Sequence, residues 1–333
     1  MHYNLSPEER SCKICGDSKS GFNYGVQSCN SCKMFFRRAI DTNKPIICKK
    51  EGKCDFRQVK CRFCRFHQCI RIGMKCLLVS DDPTKTILSL LEKNATRQKN
   101  FLEAMVPANL SVEDIFTRGA FDFEAKPADS KYGFYDWALI NQLTCIDFAT
   151  KFDFMKYLSA VDIKAMLKYS HLMYVILVTA MRSYRSKKAV MCHPDGTDIF
   201  PEEVHKITCY NDHFLNEIRC SLIGRIIELN VTEEEFVLLS AILLCNPAVP
   251  HLSQSGQILL STHQEMFSTA LLHYCVLENS TGGPTRFNEI LSLTHVISKT
   301  QKDIDYFSSL FPIVQPQDVK SNLFTDILSF LLR

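Results

Sequence analysis

The stretch Cys29-Asn30-Ser31-Cys32-Lys33-Met34-Phe35-Phe36-Arg37-Arg38-Ala39-Ile40 decides how the rest of the chain is read. Wound at about 100° per residue, it places Cys29, Cys32, Phe35, Phe36, Ala39 and Ile40 on one half of a cylinder. Asn30, Ser31, Lys33, Met34, Arg37 and Arg38 take the other half. One side can hold a metal and a small core, while the other offers three cations and two short polar groups to an anion. That division predicts a zinc-anchored helix seated in a DNA groove.

The charge around this stretch points the same way. Over the 333 residues the net charge is only +3, but residues 1–80 carry 16 Lys and Arg against 6 Asp and Glu, a net of +10. The remainder carries 23 against 30, a net of −7. A basic head on an acidic body predicts a polyanion partner for the head alone. Ten of the 16 cysteines fall in the first 76 residues, behind a start that lacks the apolar core of a signal peptide. Thiolate metal ligation is therefore expected rather than disulfides. No apolar run reaches the roughly 18 residues that span a bilayer, so the expectation is a soluble intracellular chain with no membrane partner.

The cysteines group into two sets of four, Cys12, Cys15, Cys29 and Cys32, then Cys48, Cys54, Cys61 and Cys64. Zinc takes four soft donors in a tetrahedron, and a Cys-x2-Cys pair supplies two of them from a knuckle or a first helical turn. Two zinc ions are predicted. A segment this short and charged cannot build a core without such staples.

The wording Gly21-Phe22-Asn23-Tyr24-Gly25-Val26-Gln27-Ser28 leading into the opening stretch resembles the first finger and recognition helix of nuclear hormone receptors. Cys61-Arg62-Phe63-Cys64-Arg65-Phe66-His67-Gln68-Cys69-Ile70-Arg71-Ile72-Gly73-Met74 resembles that family's second finger. The resemblance implies a DNA-binding domain over residues 12–80, behind an arm at 1–11, with one helix in the major groove and a second packed across it. By that likeness Asn30, Ser31 and Met34 select the half-site, and Lys33 and Arg38 reach base edges or nearby phosphates. Tyr24, Arg37 and Arg65 would contact phosphate. The chemistry agrees, since Lys and Arg suit guanine O6 and N7, whereas phosphate contacts position the helix without reading sequence. The likeness also implies a location in the nucleus and a homodimeric or heterodimeric receptor partner.

Two departures from the family pattern stand out. Asn30 and Ser31 replace an acid and a glycine, and only six residues separate Cys54 from Cys61 where about nine are usual. The shorter loop bears on the dimer knuckle Lys49-Lys50-Glu51-Gly52-Lys53 and leaves Cys69 and Cys76 as alternative ligands. The Cys-x2-Cys spacing favours Cys61 and Cys64, opening a helix with Phe63, Phe66 and Ile70 on one stripe. His67 is read as a polar surface residue, and Arg62 and Arg71 as solvated.

Residues 81–130 read as a hinge. Asp81-Asp82-Pro83 ends the basic module, residues 86–91 can start a short helix, and 92–100 are polar apart from one alanine. Phe116, Phe121 and Phe123 form an aromatic cluster able to dock on the next domain.

Residues 131–333 carry long apolar helical segments, best at 137–154 and 159–184, and about nine or ten helices in layered all-α packing are expected. His193-Pro194-Asp195-Gly196 is a turn, and Thr232 with Glu235 makes a capping box. The run from Asp136-Trp137-Ala138-Leu139-Ile140 through Leu158-Ser159-Ala160-Val161-Asp162 is similar to the ligand-binding domain of the same family. It implies a three-layer helical sandwich around an apolar cavity for a small lipophilic ligand. Cys145, Met173, Ile176, Leu177 and Met181 are candidate lining or simple core, and Arg182 a candidate ligand contact or a structural bond to the turn. Leu323, Phe324, Asp326, Ile327 and Leu328, within 322–332, resemble the family's activation helix. Such a helix completes a groove for a coregulator's amphipathic helix, with Asp326 at one pole and Lys151 or Lys168 at the other, since Thr150 stands where the usual lysine would.

The rival reading is a zinc-stapled protein-interaction scaffold, or a constitutive receptor without ligand. An enzyme is not expected, because all-cysteine zinc shells have no open coordination position and no nucleophile and base stand at motif spacing.

Overall fold

In the computed structural model, residues 11–42, 46–50, 52–74, 82–105, 123–206 and 210–310 are described. The module begins with a hairpin, β1 (Ser20–Asn23) paired antiparallel to β2 (Val26–Cys29). Its two-residue turn, Tyr24 and Gly25, has φ of 54° and 86°. Positive φ at both central positions is what a tight hairpin turn demands, and glycine adopts it without strain. Helix α1 (Asn30–Asp41) follows directly, and α2 (Arg62–Arg71) packs on it.

Within the stretch expected to be a hinge, residues 83–103 form a 21-residue helix, α3 (Pro83–Glu103), far longer than the short helix expected at 86–91, capped by the Asp82 side chain with proline in the first turn. Its buried stripe, Ile87, Leu90, Asn94, Arg97 and Phe101, follows alternating spacings of three and four. Asn94 and Arg97 sit inside that stripe, which is why the segment reads as merely polar in sequence. A short ladder, β3 (Ala104–Met105) with β4 (Glu124–Ala125), follows. Of the aromatic trio only Phe123 is described, and it packs near Phe101 and Trp137.

The body continues with α4 (Phe134–Thr150), a 3-10 turn (Asp153–Tyr157), α5 (Ala160–Arg185), a 3-10 turn (Glu202–Lys206), α6 (Asp212–Leu229), α7 (Glu233–Leu244), α8 (Gln254–Glu278) and α9 (Gly283–Leu310). The described residues from 131 onward thus hold six α-helices, fewer than the nine or ten expected, because α5, α8 and α9 each run 25 residues or more. They form three layers, with α3 and α4 outside, α5, α7 and α8 in the middle, and α6 and α9 opposite. Every residue of α4 from Leu139 to Ala149 is buried, as is every residue of α7 from Glu235 to Leu244. Side chains close the helix starts. Ser159 and Asp162 form a capping box on α5, and Thr232 and Glu235 form one on α7. No described helix is long and apolar enough to cross a membrane.

Asp162 also ties α5 to α8, accepting from the Ser253 amide at 2.7 Å and its hydroxyl at 2.8 Å. Gly256 is required there, since a Cβ would lie 2.7 Å from the Asp162 carboxyl carbon.

Candidate nucleic-acid interface

The sulfurs of Cys12, Cys15, Cys29 and Cys32 all lie within 4.8 Å of one another, as do those of Cys48, Cys54, Cys61 and Cys64. Cys15 and Cys29 are 3.6 Å apart, Cys48 and Cys54 3.6 Å, Cys48 and Cys64 3.7 Å, and Cys61 and Cys48 3.7 Å. A tetrahedron with zinc–sulfur bonds of about 2.3 Å has edges of about 3.8 Å, so both sets fit a zinc ion and neither is disulfide-bonded. The shells are finished by backbone amides, Cys32 donating to the Cys29 sulfur at 3.4 Å and Lys50 to the Cys48 sulfur at 3.3 Å. Cys69 is fully buried outside both sets. Cys76 lies outside the described residues.

Each cluster starts a helix, since the Cys29 sulfur caps α1 and Cys61 occupies the N-cap position of α2 without a side-chain cap bond. Metal, hairpin and α2 together fix the roll of α1. Cys32, Phe36 and Ala39 are buried, and Phe36 stacks on Phe66 of α2 at 5.7 Å. Asn30, Ser31, Arg37 and Arg38 face solvent, and Lys33 and Met34 are half-exposed. The exposed cations are held only loosely. Arg38 folds back on the Met34 carbonyl at 3.1 Å, and Arg37 lies 3.8 Å from Asp41 with both side chains well exposed, an ion pair of little worth in water.

Two expected phosphate contacts have inward partners. The Tyr24 ring meets the Phe36 ring edge-on at 5.1 Å. Arg65 donates to the Cys32 sulfur at 3.3 Å and lies over the Phe35 ring at 4.6 Å. Beside a zinc–tetrathiolate centre, doubly negative when loaded, that guanidinium would be a counterion; burial pulls its pKa down, but the bond and charge of the Cys32 sulfur outweigh that and hold Arg65 above its ordinary pKa.

His67, expected on the surface, is buried between module and body. It stacks on Phe63 at 3.9 Å, and its Nδ1 is 2.5 Å from the Ser255 hydroxyl of α8. Burial brings its pKa down to about 4. No signal in the sequence pairs residues 67 and 255, which are 188 positions apart.

In the body, Cys145, Ile176, Leu177 and Met181 are buried and Met173 is half-buried. Arg182 meets Phe101 of α3 at 4.4 Å and Asn141 at 3.4 Å, while its Nε and Nη2 have no hydrogen-bond partner among the described residues. Arg97, fully enclosed, donates Nε to Asn94 and leaves Nη1 without a partner among the described residues. Burial, with the Arg97 charge beside it, brings Arg182 down to about 10. Arg97 is a residue that sequence reasoning misses, although the three-four spacing of its stripe marks it. A cleft of about 160 Å³ lies elsewhere, between α3, the 153–157 turn and α8, lined by Leu90, Phe154 and His263 among others. None of the expected lining residues faces it. Lys151 is engaged with the buried Asp147 at 2.6 Å, and Lys168 is half-exposed on α5. The expected activation helix, with Leu323, Phe324, Asp326, Ile327 and Leu328, lies outside the described residues.

A zinc-finger module with one cationic helix face, joined to a layered helical body, defines a class of DNA-binding transcription factor. Known proteins narrow the class. A family model described as the ligand-binding domain of nuclear hormone receptor matches residues 122–309, and a double treble clef zinc finger of C4 type matches residues 10–76. The nuclear hormone receptor family member nhr-27 of Caenorhabditis elegans is 37% identical across 98% of this chain and 95% of its own length. The members nhr-9 and nhr-167 of the same organism are 34% and 35% identical across 96% and 92% of this chain, and 96% and 93% of their own lengths. The chain belongs to the nuclear hormone receptor family, and its two four-cysteine clusters are that family's two zinc sites.

Proposed function

We propose that the chain binds duplex DNA half-sites through α1 and regulates transcription in the nucleus. The observation that carries this is the roll of α1, whose buried side is pinned by Cys29, Cys32 and Phe36 while Asn30, Ser31, Lys33, Met34, Arg37 and Arg38 remain accessible. Lys33 and Arg38 reach base edges, Asn30, Ser31 and Met34 set the half-site, and Arg37 with Tyr24 positions the helix on phosphate. Zinc supplies no chemistry beyond holding the thiolates, so the role is recognition rather than catalysis. The body recruits coregulators through a groove completed by residues 322–332, and a like chain or another receptor supplies the dimer partner.

The test is to replace Lys33 and Arg38 with alanine in the full chain. DNA affinity should fall about 10- to 100-fold for each base-reading side chain removed, with zinc content unchanged at two ions. Binding should also weaken steeply with salt as counterions leave neutralised phosphates. Equal affinity in the variant would favour the rival reading, a zinc-stapled protein scaffold.

One observation favours a ligand-controlled body over a constitutive one. Arg97 and Arg182 place beside one another enclosed guanidinium nitrogens that have no partner among the described residues, and unpaired buried cations are costly. A lipophilic molecule with an acidic or carbonyl head answers that need. Native mass spectrometry of the full chain, with retained small molecules sought after denaturation, tests it.

A further inference from the structure

Helix α1 runs out of internal partners at its C-terminal end, where the last four carbonyls of a helix receive no hydrogen bond from within it. One of them, Ile40 O, accepts a hydrogen bond at 2.9 Å from the hydroxyl of Tyr157, a body residue 117 positions away. Tyr157 is 1% exposed, and its ring stacks on Phe66 of α2 at 5.1 Å. Phe66 stacks in turn on Phe36 of α1, so aromatic packing is continuous from the DNA-facing helix into the body. Close by, α2 lies along α8, with His67 against Ser255. Asp162, which holds the start of α8 through Ser253, begins the helix that follows Tyr157. Domains of one chain move independently unless the surface between them is extensive and apolar. Here the rings of Phe63 and Phe66, with His67, are all buried, and only residues 75–82 separate the last module residue described from α3.

We infer that Tyr157 is a positioning residue for DNA reading: the body caps the last turn of α1, and module and body bind DNA as one unit. Arg38 sits on that last turn with Arg37 beside it, so its order sets where two of the three DNA-facing cations stand. The contact leaves the opposite face of α1 open, so docking and DNA binding are compatible. Because Tyr157 closes the turn that leads into α5, a change in the body's packing reaches α1 through this hydroxyl. This inference rests on the assignment of α1 to DNA, but its first readout does not.

The test uses the full chain with Tyr157→Phe, which keeps the ring stack and removes only the hydroxyl, and with Ser255→Arg, which wedges a charge between α2 and α8. Amide exchange across residues 30–42 should quicken in Tyr157→Phe, and more in Ser255→Arg, with two zinc ions retained. DNA affinity should fall about two- to tenfold in Tyr157→Phe, the loss of one hydrogen bond. Wild-type exchange across residues 30–42 in both variants would overturn the capping, and faster exchange with unchanged DNA affinity would overturn the positioning role. A wild-type chain that ignores duplex DNA would sink the DNA assignment instead, while the exchange result would still decide the cap.

Discussion

The guanidinium of Arg65, on α2, donates through Nη2 to the sulfur of Cys32, on α1, at 3.3 Å. This bond joins the second finger's helix to the first finger's metal shell. Hydrogen bonds from outside a shell orient the ligands and tune the metal, and losing one typically costs about 10- to 100-fold in metal affinity. Arg65→Met should therefore release the first zinc at lower chelator concentration, in a competition titration with a chromophoric chelator. A phosphate contact would behave differently, lowering the salt slope of DNA binding by about one with no change in zinc affinity. The inward geometry predicts the first outcome.

Phe66 lies in the middle of the ring stack that runs from Phe36 to Tyr157. It is 1% exposed, so truncation empties a site walled by α1, α2 and the body. Phe66→Ala should cost about 3–5 kcal/mol, measured by urea unfolding of the zinc-loaded chain. Its effect should also spread into the body, quickening amide exchange near Tyr157. Exchange changes confined to residues 11–74 would show a module that folds without the body.

The division of α1 into a metal side and a cationic side is legible because a helix repeats its faces every three to four residues and cysteine spacing names its metal. The capping box at Thr232 is likewise a local signal, four residues long. Arg97 and Asn94 are easily misread because a polar residue in a buried stripe looks, in composition, like a solvated face; only the spacing from Ile87 to Phe101 distinguishes the two. His67 and Tyr157 are not legible at all. Their burial depends on which face of α2 meets the body, and nothing within either segment encodes a partner more than a hundred residues distant.

Four described histidines, His67, His171, His193 and His263, are buried and held below their ordinary pKa, and this sets a pH dependence. His171, wholly enclosed and bonded to Gln142, is pulled down to about 3, while His67 and His193 are pulled to about 4, all by burial. In the unfolded chain each titrates near about 6.5. Between about pH 6.5 and 4 the unfolded state binds more protons, so stability is full above that window and declines as pH falls through it. His171→Gln keeps a neutral polar group that cannot take the proton. Its unfolding free energy should fall less steeply across the window, by about 1.4 kcal/mol per pH unit for one proton. Parallel curves for wild type and variant would show that His171 does not titrate on unfolding.

Arg97 carries a second stability prediction. Replacing an enclosed cation that has no acidic partner among the described residues with an apolar chain of similar length removes a desolvation cost on the order of several kcal/mol per buried ion. Arg97→Met should therefore raise the midpoint of urea unfolding when no ligand is bound. A long-chain carboxylic acid added to wild type should raise the midpoint in proportion to its binding, and should do so less in Arg97→Met. A destabilised variant would mean that Arg97 already has its counter-charge.

Glu235 presents the opposite electrostatic case, a buried charge that is fully engaged. It is 3% exposed, receives Arg286 on both oxygens at 2.7 Å, and takes the Thr232 amide at 2.9 Å as part of the α7 capping box. The same bond lifts Arg286 above its ordinary pKa. Removing the acid alone leaves a partly buried guanidinium with only Glu289, at 3.8 Å, as an acidic partner among the described residues and loses the carboxylate half of the α7 capping box, so Glu235→Ala should cost about 3–5 kcal/mol. Arg286→Ala should cost a similar amount by leaving the carboxylate buried without its cation. Because both losses describe one interaction, the double variant should cost clearly less than the two singles together, all read from urea unfolding at neutral pH. If the costs simply add, each residue stabilises the body through other contacts, and the link between α7 and α9 must come from apolar packing alone.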